Sequence, residues 1–569
     1  MLDWLTSRLR KDKDTHPFRT DKGIGDALSS LPSNQPLVVL AEIGQWLAEA
    51  EQLKADLDPR SLANAVRRLD EHVQDALREA WFRMLSDIAK DGLREDAWLA
   101  LETYYGQAAQ AYCTAIDAVV SGGKAADADK NALALLLLRA LHALAERKKL
   151  LRMRYRYADA AHWKRLHELF AFGRKQALNH LSLKAYPGEE ATAPLSEYLC
   201  ALVLEMAPLE NLSPQQVACA DLLIRKHQKL ILFREEPGDT TPFHVDTAGE
   251  SGPGRLAPGQ ARSEGERYFG TGSLAGHIFT LCRSIENAGN VPEWIGETGC
   301  EKEDLLSLCK ALGEHWSAQP PKRRHPRRQA EAMIKAVNGF AQTRRMVAAS
   351  SFARAGKKIG YQSYADMMSL HRAKFGHAGD PAQAPPPAAE GAQSPMDVLH
   401  QLELAGDRLL MEEWILLDIS ATGMGAIVPH HKKWLGIGTL VGFRPEESLD
   451  WRIGIIRRLG RSSQGRRQAG LEVLPGTPVS AQYRELGDAP KASPWLGVPG
   501  AQGATLRDAI LVSRPQRTLL IERQQFAAGQ PFRLVVEGEA TFHRFGRLLD
   551  SGKDFEYVEF EDMAAPPEG

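Results

Sequence analysis

The feature that most constrains this chain is a change of periodicity near residue 228. Before it, apolar residues recur every three or four positions: Val38, Leu40, Ile43, Trp46 and Leu47, then Leu138, Leu141, Leu144, Leu150 and Leu151. From about residue 320 onward the texture is mainly strand-like, with alternation as in Trp451, Ile453 and Ile455. A period of 3.6 lays one face of a helix on a core and a period of 2 lays one face of a strand there, so the two parts must fold differently. Breaks in the first part fall at Gly122-Gly123 and Pro187-Gly188, and Ser213-Pro214 ahead of good helix formers predicts an N-cap with proline at the first helical position. A helical bundle and an irregular solenoid both fit this pattern.

The expected class is α+β, an N-terminal all-helical array followed by an antiparallel β-barrel with additional strands. Residues 1–230 read as the helical array and 231–318 as a mixed connecting module with two short helices. Residues 319–480 read as the barrel, with an insertion near 349–396, and 500–562 as additional β-hairpins. The insertion carries Pro381, Pro385, Pro386, Pro387 and Pro395 among alanines and glycines, a composition that buries no core. Within the barrel, Ser462-Ser463-Gln464-Gly465 turns a strand that returns through Gly470-Leu471-Glu472-Val473-Leu474. Closing such strands on themselves removes the exposed edges that promote aggregation.

At 569 residues with a net charge of −1, the chain has several domains and no global field drawing it to nucleic acid or anionic lipid. An anionic ligand must be held by a local cluster. The first ten residues lack the apolar core of a signal peptide, and the apolar run 132–145 is interrupted by Arg139 and His142, too short to span a bilayer. The six cysteines (Cys113, Cys200, Cys219, Cys282, Cys300, Cys309) form no CxxC pair. A cytoplasmic protein without membrane insertion is expected.

Two local clusters stand out. Asp418-Ile419-Ser420-Ala421-Thr422-Gly423 places an acid, a hydroxyl and a glycine at a bend between strand-like runs, suited to accept from a donor edge and to let backbone approach. Upstream, Arg323, Arg324, Arg327 and Arg328 fall within six residues around Pro326 and lead into a strand-like run at 332–340. Arginine's planar fork clamps phosphate and bonds guanine O6 and N7 together. Each cluster also has a plain reading, as a polar turn and as a solvated basic linker.

Together the clusters resemble the PilZ domain, a bacterial receptor module for cyclic di-GMP. That family pairs an RxxxR motif entering a six-stranded barrel with a D/N-x-S-x-x-G motif after the first strand. Arg323 to Arg327 fits the first motif, with Arg324 to Arg328 an overlapping register, and Asp418, Ser420 and Gly423 fit the second. The resemblance implies that Arg323 and Arg327 hold phosphate and the guanine Hoogsteen edge. It implies that Asp418 accepts from guanine N1 and N2, that Ser420 bonds a phosphate or ligand edge, and that Gly423 keeps the backbone close. The chain departs from the family in spacing: the motifs lie roughly ninety residues apart, which the proline-rich insertion accounts for if it loops out of the first strand pair. Arg457 and Arg461 repeat the RxxxR spacing beyond the acidic motif, where it has no counterpart.

Other signals carry less. Gly270-Thr271-Gly272-Ser273-Leu274-Ala275-Gly276 mimics a dinucleotide fingerprint, but no buried strand is expected ahead of it, and a helix start capped by Ser273 is the simpler reading. The basic run Arg147, Lys148, Lys149, Arg152, Arg154, Arg156, Lys164 and Arg165 around Tyr155, Tyr157 and Trp163 reads as a solvated face meeting acids or a partner protein, with an RNA-binding face as the alternative. His430-His431 and His244/Asp246 lack a third ligand, so no metal or redox cofactor is expected, and no catalytic motif is found. The expected function is a non-enzymatic signalling adaptor that binds cyclic di-GMP and engages a protein partner through its helical region. A ligand-independent scaffold is the alternative.

Overall fold

The computed structural model describes residues 18, 20–86, 93–121, 129–257, 263–296, 298–317, 325–355, 394–404, 411–428, 434–462, 464–486 and 506–564, and the statements below concern these. They fall into two compact units, Met1–Lys322 and Arg323–Gly569.

The first unit opens with α1 (Asp21–Ser29), α2 (Pro36–Ala48), α3 (Ala50–Asp56), α4 (Pro59–His72), α5 (Gln74–Ser86), α6 (Glu95–Ser121), α7 (Lys130–Met153) and α8 (Ala160–Lys175). A two-stranded ribbon, β1 (Leu183–Lys184) and β2 (Ala191–Thr192), leads to α9 (Pro194–Glu205) and α10 (Pro214–Lys226). Helix starts follow local chemistry. Asp58 caps α4 by accepting from the backbone N–H groups of Arg60 and Ser61, with Pro59 next in the chain. Ser213 and Gln216 close a reciprocal capping box on α10, with Pro214 at its first position as the sequence predicts.

The unit continues with β3 (Leu232–Arg234), β4 (Phe243–Asp246), β5 (Gly254–Arg255) and β6 (Glu266–Gly270), then α11 (Gly272–Ala288), α12 (Glu293–Gly296) and α13 (Lys302–Trp316). The sheet order is β3-β6-β4-β5 with every pairing antiparallel. One continuous apolar core runs from Phe18 to Trp316, so this mixed segment and the helices ahead of it share a core. A strand does precede the glycine-rich turn, contrary to expectation, but an antiparallel sheet is no dinucleotide-binding frame. Gly270 answers a packing need: a Cβ there would lie 1.8 Å from the Thr240 carbonyl oxygen. Thr271, not Ser273, is the N-cap of α11, and its side chain makes no capping bond.

The second unit holds two closed six-stranded barrels. The first comprises β7 (Arg328–Asn338), β8 (Met411–Ile419), β9 (Gly423–Ile427), β10 (Leu440–Pro445), β11 (Arg452–Arg461) and β12 (Arg467–Val473), in the order β10-β11-β12-β9-β8-β7. The second comprises β13 (Val479–Glu485), β14 (Arg507–Ser513), β15 (Thr518–Glu522), β16 (Pro531–Val536), β17 (Glu539–Ser551) and β18 (Phe555–Asp562), in the order β13-β14-β15-β18-β17-β16. Numbered within each barrel, both orders are first-second-third-sixth-fifth-fourth. The run 500–562, expected as extra hairpins, thus closes with β13 into a barrel of the same connectivity.

Between β7 and β8 lie two helices that the strand-like reading omits, α14 (Phe340–Arg354) and α15 (Pro395–Leu404). Most of the proline-rich insertion falls outside the described residues. Helix α15 is clamped to the first barrel by Arg444, fully buried, whose Nε and Nη2 donate to the Glu403 carboxylate at 2.7 and 2.9 Å. Lys335 adds a third contact to Glu403 at 3.3 Å. Helix α14 packs between the barrels: Phe340 joins Leu440, Ile453 and Ile455 of the first and Ile510, Val512, Leu520 and Phe555 of the second in one cluster.

Candidate functional site

Antiparallel pairing of β7 with β8 brings the arginine segment to the acidic motif. Arg328 lies opposite Ile419 and Gln329 opposite Asp418, so the start of one strand and the end of the other share one end of the barrel. The long connection from β7 to β8 leaves from the opposite end, where Val337 faces Met411. At about 3.3 Å per residue that end is some 30 Å away. The pairing of β7 with β8 therefore brings the two motifs together whatever the length of chain between them, while the insertion itself lies mostly outside the described residues. One expectation shifts: the Asp-x-Ser-x-x-Gly motif closes the second strand of the barrel, not the first, because residues 328–338 are themselves its first strand.

The key contact spans 91 residues. Arg327 donates from Nη1 to Asp418 Oδ2 at 2.9 Å. Both side chains remain partly exposed, at 29% and 25%. The other carboxylate oxygen, Oδ1, is buried and has no hydrogen-bond partner among the described residues. A buried acceptor left without a donor is costly, and such a vacancy in a native fold calls for a reason. Register shifts flank Asp418 on both sides, between Gln329 and Ala332 on β7 and between Leu416 and Asp418 on β8. Bulges of this kind re-aim a side chain out of the regular pleat.

Gly425, which sequence reasoning missed, faces Asp418 across the ladder. A Cβ at 425 would sit 2.9 Å from Asp418 Oδ1, so the glycine leaves the carboxylate its place. The Gly423-Met424-Gly425 alternation is the signal that could have found it. Gly423 has a different constraint, since a Cβ there would lie 2.9 Å from the Leu471 carbonyl oxygen on β12. Ser420 serves the turn: its backbone N–H and its hydroxyl both donate to the Gly423 carbonyl, at 2.7 and 3.1 Å. Its hydroxyl must rotate away before it can donate to a phosphate.

Arg328 is exposed at the head of β7 and has no ion pair among the described residues. Arg323 and Arg324 lie outside the described residues, as do His430 and His431. Arg457 and Arg461, spaced like the arginine motif, are engaged elsewhere. Arg457 pairs with Glu472 and Asp550, and Arg461 donates to the Gly465 carbonyl at the hairpin turn. In the second barrel the corresponding turn from β14 to β15 reads Ser513-Arg514-Pro515-Gln516-Arg517, with no acid-hydroxyl-glycine motif.

The basic run in the first unit is not the solvated face expected of it. Lys148, Lys149, Arg152 and Arg154 are buried. Lys148 reaches Glu205 at 2.9 Å, Lys149 reaches Asp221 at 2.8 Å, and Arg154 reaches Glu95 at 2.9 Å. Burial opposes the charge on Lys149 most strongly, yet Asp221 and Glu146 hold its pKa above the ordinary value. Glu197 is likewise opposed by burial, but Arg225 and then His142 bring it down to about 2. His162 has no hydrogen-bond partner on either ring nitrogen, and burial first, then Arg147 and Lys148, push it down to about 4. Lys148 and Lys149 are thus committed to buried acids, and Arg154 to the exposed Glu95, rather than standing free on a solvated face. His244 pairs with Glu266 at 3.3 Å, and no cluster of three or more metal-ligating side chains occurs among the described residues. No helix among them is long and apolar enough to cross a membrane.

Comparison with known families matches residues 22–237 to a family described as the N-terminal domain of the cyclic-di-GMP receptor FimW. The match covers less than half of the chain, lies within the helical unit and does not reach either barrel. No curated protein and no solved structure matches the chain.

Proposed function

We propose that the first barrel is a PilZ-type receptor site for cyclic di-GMP, and that the chain acts as a non-enzymatic adaptor passing ligand occupancy to a protein partner through its helical unit. The observation that carries this reading is the Arg327–Asp418 contact, with Asp418 Oδ1 buried and without a hydrogen-bond partner among the described residues. An acceptor oxygen held beside a fixed cation suits the N1–H and N2–H donor edge of guanine, while a guanidinium suits its O6 and N7 or a phosphate. The similarity of residues 22–237 to a cyclic-di-GMP receptor family supports the same ligand from a separate stretch of chain.

In this reading Arg323, Arg324, Arg327 and Arg328 supply the cationic half of the site, and Asp418, Ser420 and Gly423 the acidic and turn half. Gly425 belongs with them as the floor under the carboxylate. The receptor module would then be β7–β12 with the insertion between β7 and β8, set between the helical unit that ends at Lys322 and a second barrel that begins at Val479. A cytoplasmic location accords with a ligand made and read inside bacterial cells.

Fluorescently labelled cyclic di-GMP should be retained by the full chain and displaced by unlabelled cyclic di-GMP but not by cyclic di-AMP. A bidentate guanine contact is worth roughly 1–3 kcal/mol, so Arg327→Ala should weaken binding by about fivefold or more. Displacement by both dinucleotides alike would refute guanine recognition.

A further inference from the structure

We infer that Arg457 couples the nucleotide site of the first barrel to the second barrel, so that ligand occupancy is read out as tightening of β17. This rests on the receptor reading above and goes beyond it by naming a route out of the site.

Arg457 stands at a slip in the β11–β12 ladder, where Ile456 faces Leu471 and Arg458 faces Gly470, leaving Arg457 as the extra residue. The slip frees its side chain to serve two carboxylates. Nε donates to Glu472 at 2.8 Å, and Nη2 donates to Asp550 of the second barrel. Asp550 itself stands where the β17–β18 register shifts, after Leu548. Glu472 lies directly opposite Gly423 in the β12–β9 ladder, the glycine that ends the acidic motif. The order of contacts is therefore motif backbone, Glu472, Arg457, Asp550.

The two partners differ in setting. The Glu472 side chain is 51% exposed and that of Asp550 only 23%. An exposed ion pair contributes little and is given up at small cost, whereas the more buried one is held harder. A dianionic ligand at the Gly423 turn repels the Glu472 carboxylate. Arg457, shared in the free protein, then turns wholly to Asp550 and clasps the second barrel. Linkage makes this reciprocal: weakening the clasp must lower ligand affinity by the same factor. The helix between the barrels gives β17 and β18 a mechanical consequence, because Asp554 in their connecting turn accepts from the Phe340 N–H at the start of α14.

The test is hydrogen exchange of the full chain with and without cyclic di-GMP, alongside calorimetric affinities, for the native protein, Arg457→Gln and Asp550→Asn. Ligand should slow exchange over 539–551 in the native chain. In both variants that slowing should vanish while binding persists about fivefold weaker. Agreement between the two variants separates loss of the clasp from misfolding of either one. Native-like slowing in both variants would overturn the coupling while leaving the receptor reading intact. Absence of binding heat in the native chain would overturn both.

Discussion

At the scale of single residues, the proposed site depends on what surrounds one carboxylate. Asp418 keeps Arg327 on one oxygen and no hydrogen-bond partner on the other among the described residues, and Gly425 leaves that second oxygen its space. Gly425→Ala pushes a methyl group against the end of a partly exposed side chain, which can shift at little cost to the fold. Cyclic di-GMP affinity should fall by at least about tenfold with the unfolding midpoint almost unchanged, as read by titration and thermal melting. His162 gives a second test, in the helical unit. Its folded pKa of about 4 lies below the ordinary value of 6.5, so the unfolded chain binds the extra proton first. Stability is then fully present above pH 6.5 and lost as pH falls from there toward 4. Between pH 7 and pH 5 the loss should be about 2 kcal/mol, and His162→Gln should remove most of that dependence in denaturant titrations. The motif residues Asp418, Ser420 and Gly423 were legible because their types and spacing are local. Gly425 was not, since only the β8–β9 register reveals what it faces. The burial of Lys148 and Arg152 was hidden for a similar reason: helical periodicity does not say which charged stripe meets an acid on a neighbouring helix.

At the scale of elements, the pairing of β7 with β8 brings together two motifs that the sequence holds roughly ninety residues apart. Two strands that pair antiparallel need only their own ends in register, and the chain between them can be of any length at the far end. The strand-like periodicity around the motif was legible in the sequence, and so was the helical periodicity before residue 228. Helices α14 and α15 were not, because they interrupt a β-patterned region and their identity depends on what they pack against. The α15 clamp makes this concrete. Arg444 is fully buried, holds both Glu403 oxygens, and donates to the carbonyls of Pro445, Glu446 and Ser448. Arg444→Ala strands a buried carboxylate, so it should cost about 3–5 kcal/mol in chemical denaturation of the second unit. Glu403→Gln, which keeps one acceptor but leaves the buried Arg444 charge without its carboxylate, should be destabilising as well.

At the scale of the whole molecule, the chain carries two barrels with one connectivity, only one of which holds the acid-hydroxyl-glycine turn. The strands of 500–562 are legible as additional β-hairpins, but their closure with β13 into a barrel is not, because closure is a long-range property that alternation along single strands cannot announce. Near-neutral net charge fits a molecule whose proposed ligand is held locally: the buried Lys148 and Lys149 of the helical unit pair with Glu205 and Asp221, while Arg327 and Arg328 remain at the surface of the first barrel. The proposed receptor barrel and a second barrel of the same strand order follow a helical unit similar to a cyclic-di-GMP receptor family. The most direct test is calorimetric titration of the full chain with cyclic di-GMP, repeated for Arg327→Ala and Asp418→Ala. Saturable heat in the native protein, with its loss in both variants while their melting transitions persist, is the predicted result. No heat from the native protein at high micromolar ligand, or undiminished heat from both variants, would contradict the account.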